Sequence, residues 1–144
     1  DPHRFRFPDS VMPGLDFSFS GIKTAFLYFL RAETRKEPDF IQKNLHDICA
    51  SLQHHLVQML MSRLERASKE TGIREIAIAG GVSANSGLRE TVVSRGKQLG
   101  WNVYIPAFEY CTDNAAMIAI AGYHKFLAGE FVGQDISPMA RMNF

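Results

Sequence analysis

The sequence lacks most of the features that would assign it a function at once. Its 144 residues hold two cysteines. Cys49 and Cys111 lie far apart, with no metal-type or redox-type pair spacing. Two cysteines without a disulfide framework fit a reducing cytoplasm better than export, so a cytoplasmic location is expected. Charge of either sign is not in excess. Sixteen basic residues face fifteen acidic ones, and the basic ones form no block. Net charge therefore argues neither for nor against a nucleic-acid partner. No apolar run approaches the roughly 18 residues of a membrane span. There is no Gly-x-Ser-x-Gly elbow and no Gly-x-x-x-x-Gly-Lys loop. The chain opens on Asp1-Pro2-His3 and not on methionine, and is expected to be a piece of a longer protein. Hydrophobic residues make up 46%, enough for one domain with a core.

What is present is concentrated between Arg74 and Asn114. A short apolar run, Ile76-Ala77-Ile78-Ala79, leads into Gly80-Gly81-Val82-Ser83-Ala84-Asn85. A helix-like segment follows to Leu99, closed by Gly100. A second apolar run, Trp101 to Ile105, precedes Pro106 and a loop ending Cys111-Thr112-Asp113-Asn114. Strand, glycine turn, helix, strand and acidic loop make one right-handed βαβ unit with parallel strands. Ligands sit beyond the carboxyl ends of such strands, which puts Gly80-Gly81 and Asp113 at one edge.

The flanking segments read as support. Residues 1–15 carry Pro2, Pro8, Pro13 and Gly14 and predict an extended, irregular lead-in. Asp16 to Ser20 alternates polar and aromatic residues, which predicts a short strand. Ser20 then caps a helix from Gly21 to Glu33. The strongest periodicity runs from Asp39 to Glu70 through Ile41, Leu45, Ile48, Leu52, Leu56, Met59, Leu60 and Leu64. It predicts a helix of about 48 Å, stopped by Gly72. Asp113 opens a last helix to Leu127, stopped by Gly129. The small apolar residues that surround it predict burial on most sides and close packing. Residues 133–144 form a weakly patterned tail.

Each candidate site residue has a bland alternative. Gly80 and Gly81 allow a backbone to approach a phosphate, or a ribose with its adenine, or they form a tight turn that holds nothing. On this reading Gly81→Val impairs nucleotide binding, by blocking approach and disfavouring positive φ. Asn85 can bond a ribose or base edge, or cap the helix. Asp113 can ligate a cation, or cap the last helix and complement its dipole. A lone carboxylate makes no metal site. Of five histidines no two share a helical face. His54 and His55 read as one core-edge and one surface residue. Lys23 reads as solvated. No residue is identified as a catalytic acid, base or nucleophile.

Three stretches, taken in order, carry a resemblance. Asp16-Phe17-Ser18-Phe19-Ser20-Gly21-Ile22-Lys23-Thr24, Ala79-Gly80-Gly81-Val82-Ser83-Ala84-Asn85 and Cys111-Thr112-Asp113-Asn114-Ala115-Ala116-Met117-Ile118-Ala119 together resemble the carboxyl-terminal part of the tRNA N6-adenosine threonylcarbamoyltransferase family. An older name is O-sialoglycoprotein endopeptidase, or glycoprotease. The resemblance implies an actin-like α/β fold, of which this chain is a lobe fragment, helix-rich with a small, mainly parallel sheet and without the amino-terminal lobe. It implies one divalent metal, iron or zinc, held by Asp113 and by two histidines of a His-x-x-x-His helix that this chain lacks. Asn85 matches the asparagine that contacts the adenylate, and Gly80-Gly81 the adenosine-side loop. Ala115 stands where the family usually has glycine.

The implied reaction moves a threonylcarbamoyl group from threonylcarbamoyl-adenylate to N6 of the adenosine beside a tRNA anticodon. Partner subunits of a modification complex are implied too. The alternatives are a metal-dependent glycoprotein peptidase and a non-catalytic actin-like partner subunit. The fragment on its own is expected to bind metal weakly or not at all and to be inactive. It is also expected to form a homodimer, through the edge of a truncated sheet or through the long helix. The other possibility is a monomer in which residues 1–15 fold back over the gap.

Overall fold

The computed structural model describes residues 1–8 and 12–137. Its order is α1 (Phe19–Lys36), α2 (Phe40–Thr71), β1 (Glu75–Ala77), α3 (Ser86–Leu99), β2 (Asn102–Tyr104) and α4 (Ala115–Leu127). Single 3-10 turns stand at Gly81–Ala84 and Phe108–Tyr110. This is the expected helix-rich α/β architecture with a small parallel sheet. The strands pair in the register Glu75–Asn102, Ile76–Val103 and Ala77–Tyr104. Ile78 extends the ladder by donating its amide to Tyr104 O at 3.1 Å.

The expected strand at Asp16–Ser20 does not form. Ser18, not Ser20, caps α1, accepting from the Gly21 amide at 3.1 Å. A strand needs a neighbour for its ladder, and this segment pairs with none among the described residues. The cap instead satisfies a first-turn amide locally. The rings of Phe17 and Phe19 meet edge to face with centroids 5.1 Å apart.

The long helix α2 is the beam of the fold, and its two halves bury different faces. Phe40, Asn44, Ile48 and Ser51 are buried in the first half. There Phe29 of α1 meets Phe40 edge to face at 5.9 Å, and the lead-in adds Phe5 and Phe7, 5.4 and 5.3 Å from Phe29. The Phe5 amide donates to Ser51 Oγ at 3.2 Å. The described part of the lead-in, residues 1–8 and 12–15, is irregular, as expected, yet Phe5 and Phe7 pack it against α1 and α2. Val57 and Met61 in the second half join Ile76, Leu88, Val92 and Trp101 in the main core. Leu45, expected in the buried stripe, is 49% exposed. Apolar residues occupy more than one side of α2, and the partner met by each half selects the face that is covered. His54 and His55 are both half-buried, so neither is the expected surface residue. Their rings meet His3 and Phe7 at 4.5 and 5.9 Å.

Helix α3 closes the core. A bidentate Arg95–Glu65 pair, at 2.8 and 2.9 Å, ties it to α2. Both side chains are partly exposed, so the pair is worth no more than about 1 kcal/mol. Gly96 lets α3 approach the sheet closely. A Cβ there would lie 2.5 Å from Val103 Cγ2. Helix α4 departs most from expectation, since none of its residues is buried. Met117, Ile118, Ile120, Tyr123, Phe126 and Leu127 are each more than half exposed. Periodicity reports that a helix is apolar, not that a partner lies within reach. No helix among the described residues is long and apolar enough to cross a membrane.

The uncovered sheet face carries a polar clip. Glu75 accepts from Asn102 Nδ2 at 2.6 Å and from Tyr104 OH at 2.7 Å. The Tyr104 hydroxyl first, then Asn102, holds the Glu75 carboxyl below its usual 4.5. The carboxylate in turn raises the Tyr104 phenol above 10.0. A lowered carboxyl contributes stability above the ordinary glutamate range and loses it as pH falls through the folded-state value. The raised phenol contributes below the ordinary tyrosine range and loses it as pH rises through the folded-state value. Carboxyl-detected NMR titration is expected to show Glu75 titrating low, and Tyr104→Phe is expected to move it back toward 4.5. An unmoved titration would show that the phenol bond does not persist in solution.

Candidate functional site

The carboxyl ends of β1 and β2 open into two loops, and the candidate residues sit on them. After β1 the chain turns at Gly80, whose φ of 77° and ψ of 179° are open in practice only to glycine. Gly81 begins the 3-10 turn without positive φ, and a Cβ there would meet nothing within 4 Å. The conformational demand expected at Gly81 therefore falls on Gly80. Ser83 closes the turn on Gly80 O with its amide at 3.0 Å and its hydroxyl at 2.6 Å.

Asn85 caps α3, its Oδ1 accepting from the Leu88 amide at 3.0 Å. The cap uses one lone pair and leaves the Nδ2 donors for another partner. First-turn amides beyond the capped one can face an anion. Two apolar clefts adjoin this loop. One, of about 430 Å³, lies between Phe17, Leu64, Ile78 and Val82. The other, of about 300 Å³, is lined by Leu52, Leu56, Val82 and Asn85.

After β2 the chain runs through Pro106 and the Phe108–Tyr110 turn to Cys111, which is buried at 2% exposure. Asp113 follows, exposed. It does not cap α4. Asn114 does, accepting from the Met117 amide at 3.2 Å. Adjacent Asp and Asn are both good caps, and the helix takes the one whose extended backbone (φ −150°, ψ 159°) aims its side chain back at the first turn. The Asp113 carboxylate is thereby left for another task. Among the described residues no three His, Cys, Asp or Glu side chains are grouped to hold a metal. Asp113 would supply one ligand, and the described residues do not by themselves fit a complete metal site.

Arg89 joins the two loops, and periodicity gave no reason to single it out, since an arginine inside an amphipathic helix reads as solvent-facing. The half-buried guanidinium donates from Nε to Ser83 O at 2.6 Å. Its Nη2 donates to Pro106 O at 2.7 Å and to Cys111 Sγ at 3.1 Å. It also lies 4.0 Å from the centre of the Phe108 ring, within cation–π range. The structure brings the Gly80–Asn85 loop and the loop leading to Asp113 to one edge, as expected, and places this arginine between them.

Gly80→Ala is expected to destabilise the chain by about 1–3 kcal/mol, the usual cost of a non-glycine residue in this conformation. Gly81→Ala is expected to stay within about 0.5 kcal/mol, as for an unstrained exposed site. Denaturant unfolding of both variants checks this, and equal costs would contradict the assigned geometry.

Comparison with known proteins places these loops in context. The family model for tRNA N6-adenosine threonylcarbamoyltransferase matches residues 1–120. A protein of that name from Cytophaga hutchinsonii is 61% identical over 142 residues, covering 99% of this chain and 41% of the relative. Its namesakes from Christiangramia forsetii and Porphyromonas gingivalis are 51% and 50% identical, over 100% and 99% of this chain and 42% of each relative. The chain therefore spans well under half the length of the curated relatives it matches.

Proposed function

The chain belongs to the tRNA N6-adenosine threonylcarbamoyltransferase family, and from that membership we propose that it is the carboxyl-terminal lobe fragment of an actin-like enzyme that modifies tRNA. The full-length protein would transfer a threonylcarbamoyl group from threonylcarbamoyl-adenylate to N6 of the adenosine next to the anticodon. The observation that carries this reading is the pair of loops at one sheet edge, fixed to each other by Arg89, in a chain 61% identical to a relative of that name.

The roles follow from the geometry. The Gly80-Gly81 turn and Asn85 would receive the adenylate. The turn offers backbone that no side chain obstructs, and Asn85 keeps amide donors in reserve. The adjoining apolar clefts suit the faces of a base. Asp113 would supply one ligand to a divalent metal, iron or zinc, whose other donors lie outside this chain. Such a metal polarises and orients an acyl donor. Holding the donor beside a docked tRNA converts the reaction into a unimolecular one. A tRNA substrate implies the cytoplasm, and partner subunits would complete the assembly. Neither the glycoprotein peptidase reading nor the non-catalytic subunit gains support from the names of the relatives.

The test is modification of unmodified tRNA by the full-length protein, with and without Asp113→Ala. Wild type is expected to incorporate the group. The variant is expected to lose about 100-fold or more, the upper end of what outer-shell metal partners cost. Undiminished activity would remove Asp113 from the site.

The isolated chain is proposed to self-associate as a two-fold dimer. Both outer sheet edges are unpaired among the described residues, and such edges seek partners. Leu52, Leu56 and Leu60 of α2 are only half-buried, and α4 adds exposed apolar area. Sedimentation at several concentrations is expected to show a dimer. A clean monomer at high micromolar concentration would reject it.

A further inference from the structure

We propose that Arg89 is a positioning residue for the transfer reaction, setting the loop that carries Asp113 against the loop that would receive the adenylate. The proposal rests on the functional reading above. Its basis is an asymmetry between the loops. The Gly80–Ala84 turn closes on itself through Ser83 and Gly80. The loop after β2 has only short-range bonds of its own among the described residues: Tyr110 N to Ala107 O, Cys111 N to Phe108 O, Cys111 Sγ to Ala107 O, and Asn114 Nδ2 to Thr112 O. Among the described residues, apart from the bonds that Asn114 makes to the first turn of α4, the hydrogen bonds that reach residues 105–114 from elsewhere come from Arg89. The same planar group holds Ser83 O, two residues before Asn85, and Cys111 Sγ, two residues before Asp113. A guanidinium can serve several acceptors in one plane and stack on Phe108 at once, which an ammonium cannot.

Two consequences separate positioning from general support. The adenylate loop keeps its own closure without Arg89, so donor binding in the ground state should change little. The Asp113 loop loses the long-range bonds it has among the described residues, so the relative placement needed in the transition state should suffer. Arg89→Met retains the apolar stem and removes the fork, and Arg89→Lys keeps the charge and one donor group.

Both variants are to be made in the full-length protein. Transfer from threonylcarbamoyl-adenylate to unmodified tRNA gives kcat and the donor KM. Amide hydrogen exchange gives the state of each loop. For Arg89→Met the expected result is a fall in kcat of about tenfold or more with donor KM within about threefold. Exchange should be faster at residues 107–111 and unchanged at the core amides of Val57 and Val92. Arg89→Lys should recover part of kcat. If the methionine variant does not fold, the lysine variant is judged by the same readouts. Unchanged exchange at 107–111, a freed loop with unchanged kcat, or a uniform rise in exchange that includes the core would each overturn the proposal. If wild type transfers nothing, the functional reading fails on its own, and the positioning role in transfer falls with it, whereas the loop exchange still reports whether Arg89 ties the two loops.

Discussion

The site edge depends on one guanidinium. A parallel βαβ unit brings two loops to the same end of its sheet but does not fix them to each other, because each loop leaves its strand where the ladder stops. Here the ladder ends at the bond from Ile78 to Tyr104. Beyond it, Arg89 reaches Ser83 on one side and Pro106 and Cys111 on the other. Burying a charged group costs free energy unless its donors are satisfied. Three acceptors and the Phe108 ring meet that condition, so the arginine can sit half-buried in the crossover helix without penalty to the core beneath it.

That core is small, and what surrounds it explains why it suffices to hold the site. Val57, Met61, Ile76, Leu88, Val92 and Trp101 form one cluster under the sheet. Burial of such side chains is worth about 1.5–3 kcal/mol each. The aromatic cluster of Phe5, Phe7, Phe29 and Phe40 forms a second centre at the other end of α2. The long helix links the two, so the lead-in and α1 brace the beam while its second half supports the strands. The Gly96–Val103 approach seats α3 on β2, and the Arg95–Glu65 pair ties α3 to α2.

Much of this was legible in the sequence, and the misses have physical causes. Strong signals were those in which local chemistry and periodicity agree: α2, both strands, their parallel pairing, the Asn85 cap and the Gly72 and Gly100 stops. The strand expected at Asp16–Ser20 failed because alternation over five residues is cheap to write and a ladder needs a neighbour. Gly81 and Asp113 were each assigned a local role that belongs to the residue beside them, Gly80 for positive φ and Asn114 for the cap. Two adjacent residues of equal propensity cannot be separated by propensity. Arg89 was invisible because its partners are backbone carbonyls and a thiol brought together only by the fold. The roles of Asn85 and Asp113 as ligand residues rest on resemblance and stand as proposals.

Helix α4 is the least covered helix among the described residues. Its residues are apolar on every side and none is buried, although the helix is well formed and capped by Asn114. Propensity and capping alone rarely hold a short helix in water, where most helical stability comes from packing of an apolar face. An apolar helix that finds no cover among the described residues is in conflict with burial, and the conflict disappears only if another surface covers it. The chain spans 41% of its Cytophaga relative, so in that relative most of the polypeptide lies beyond the matched region and could supply such a surface. Asp113 stands immediately before the cap of α4. Any surface that packs on α4 would therefore also come close to the exposed Asp113 carboxylate.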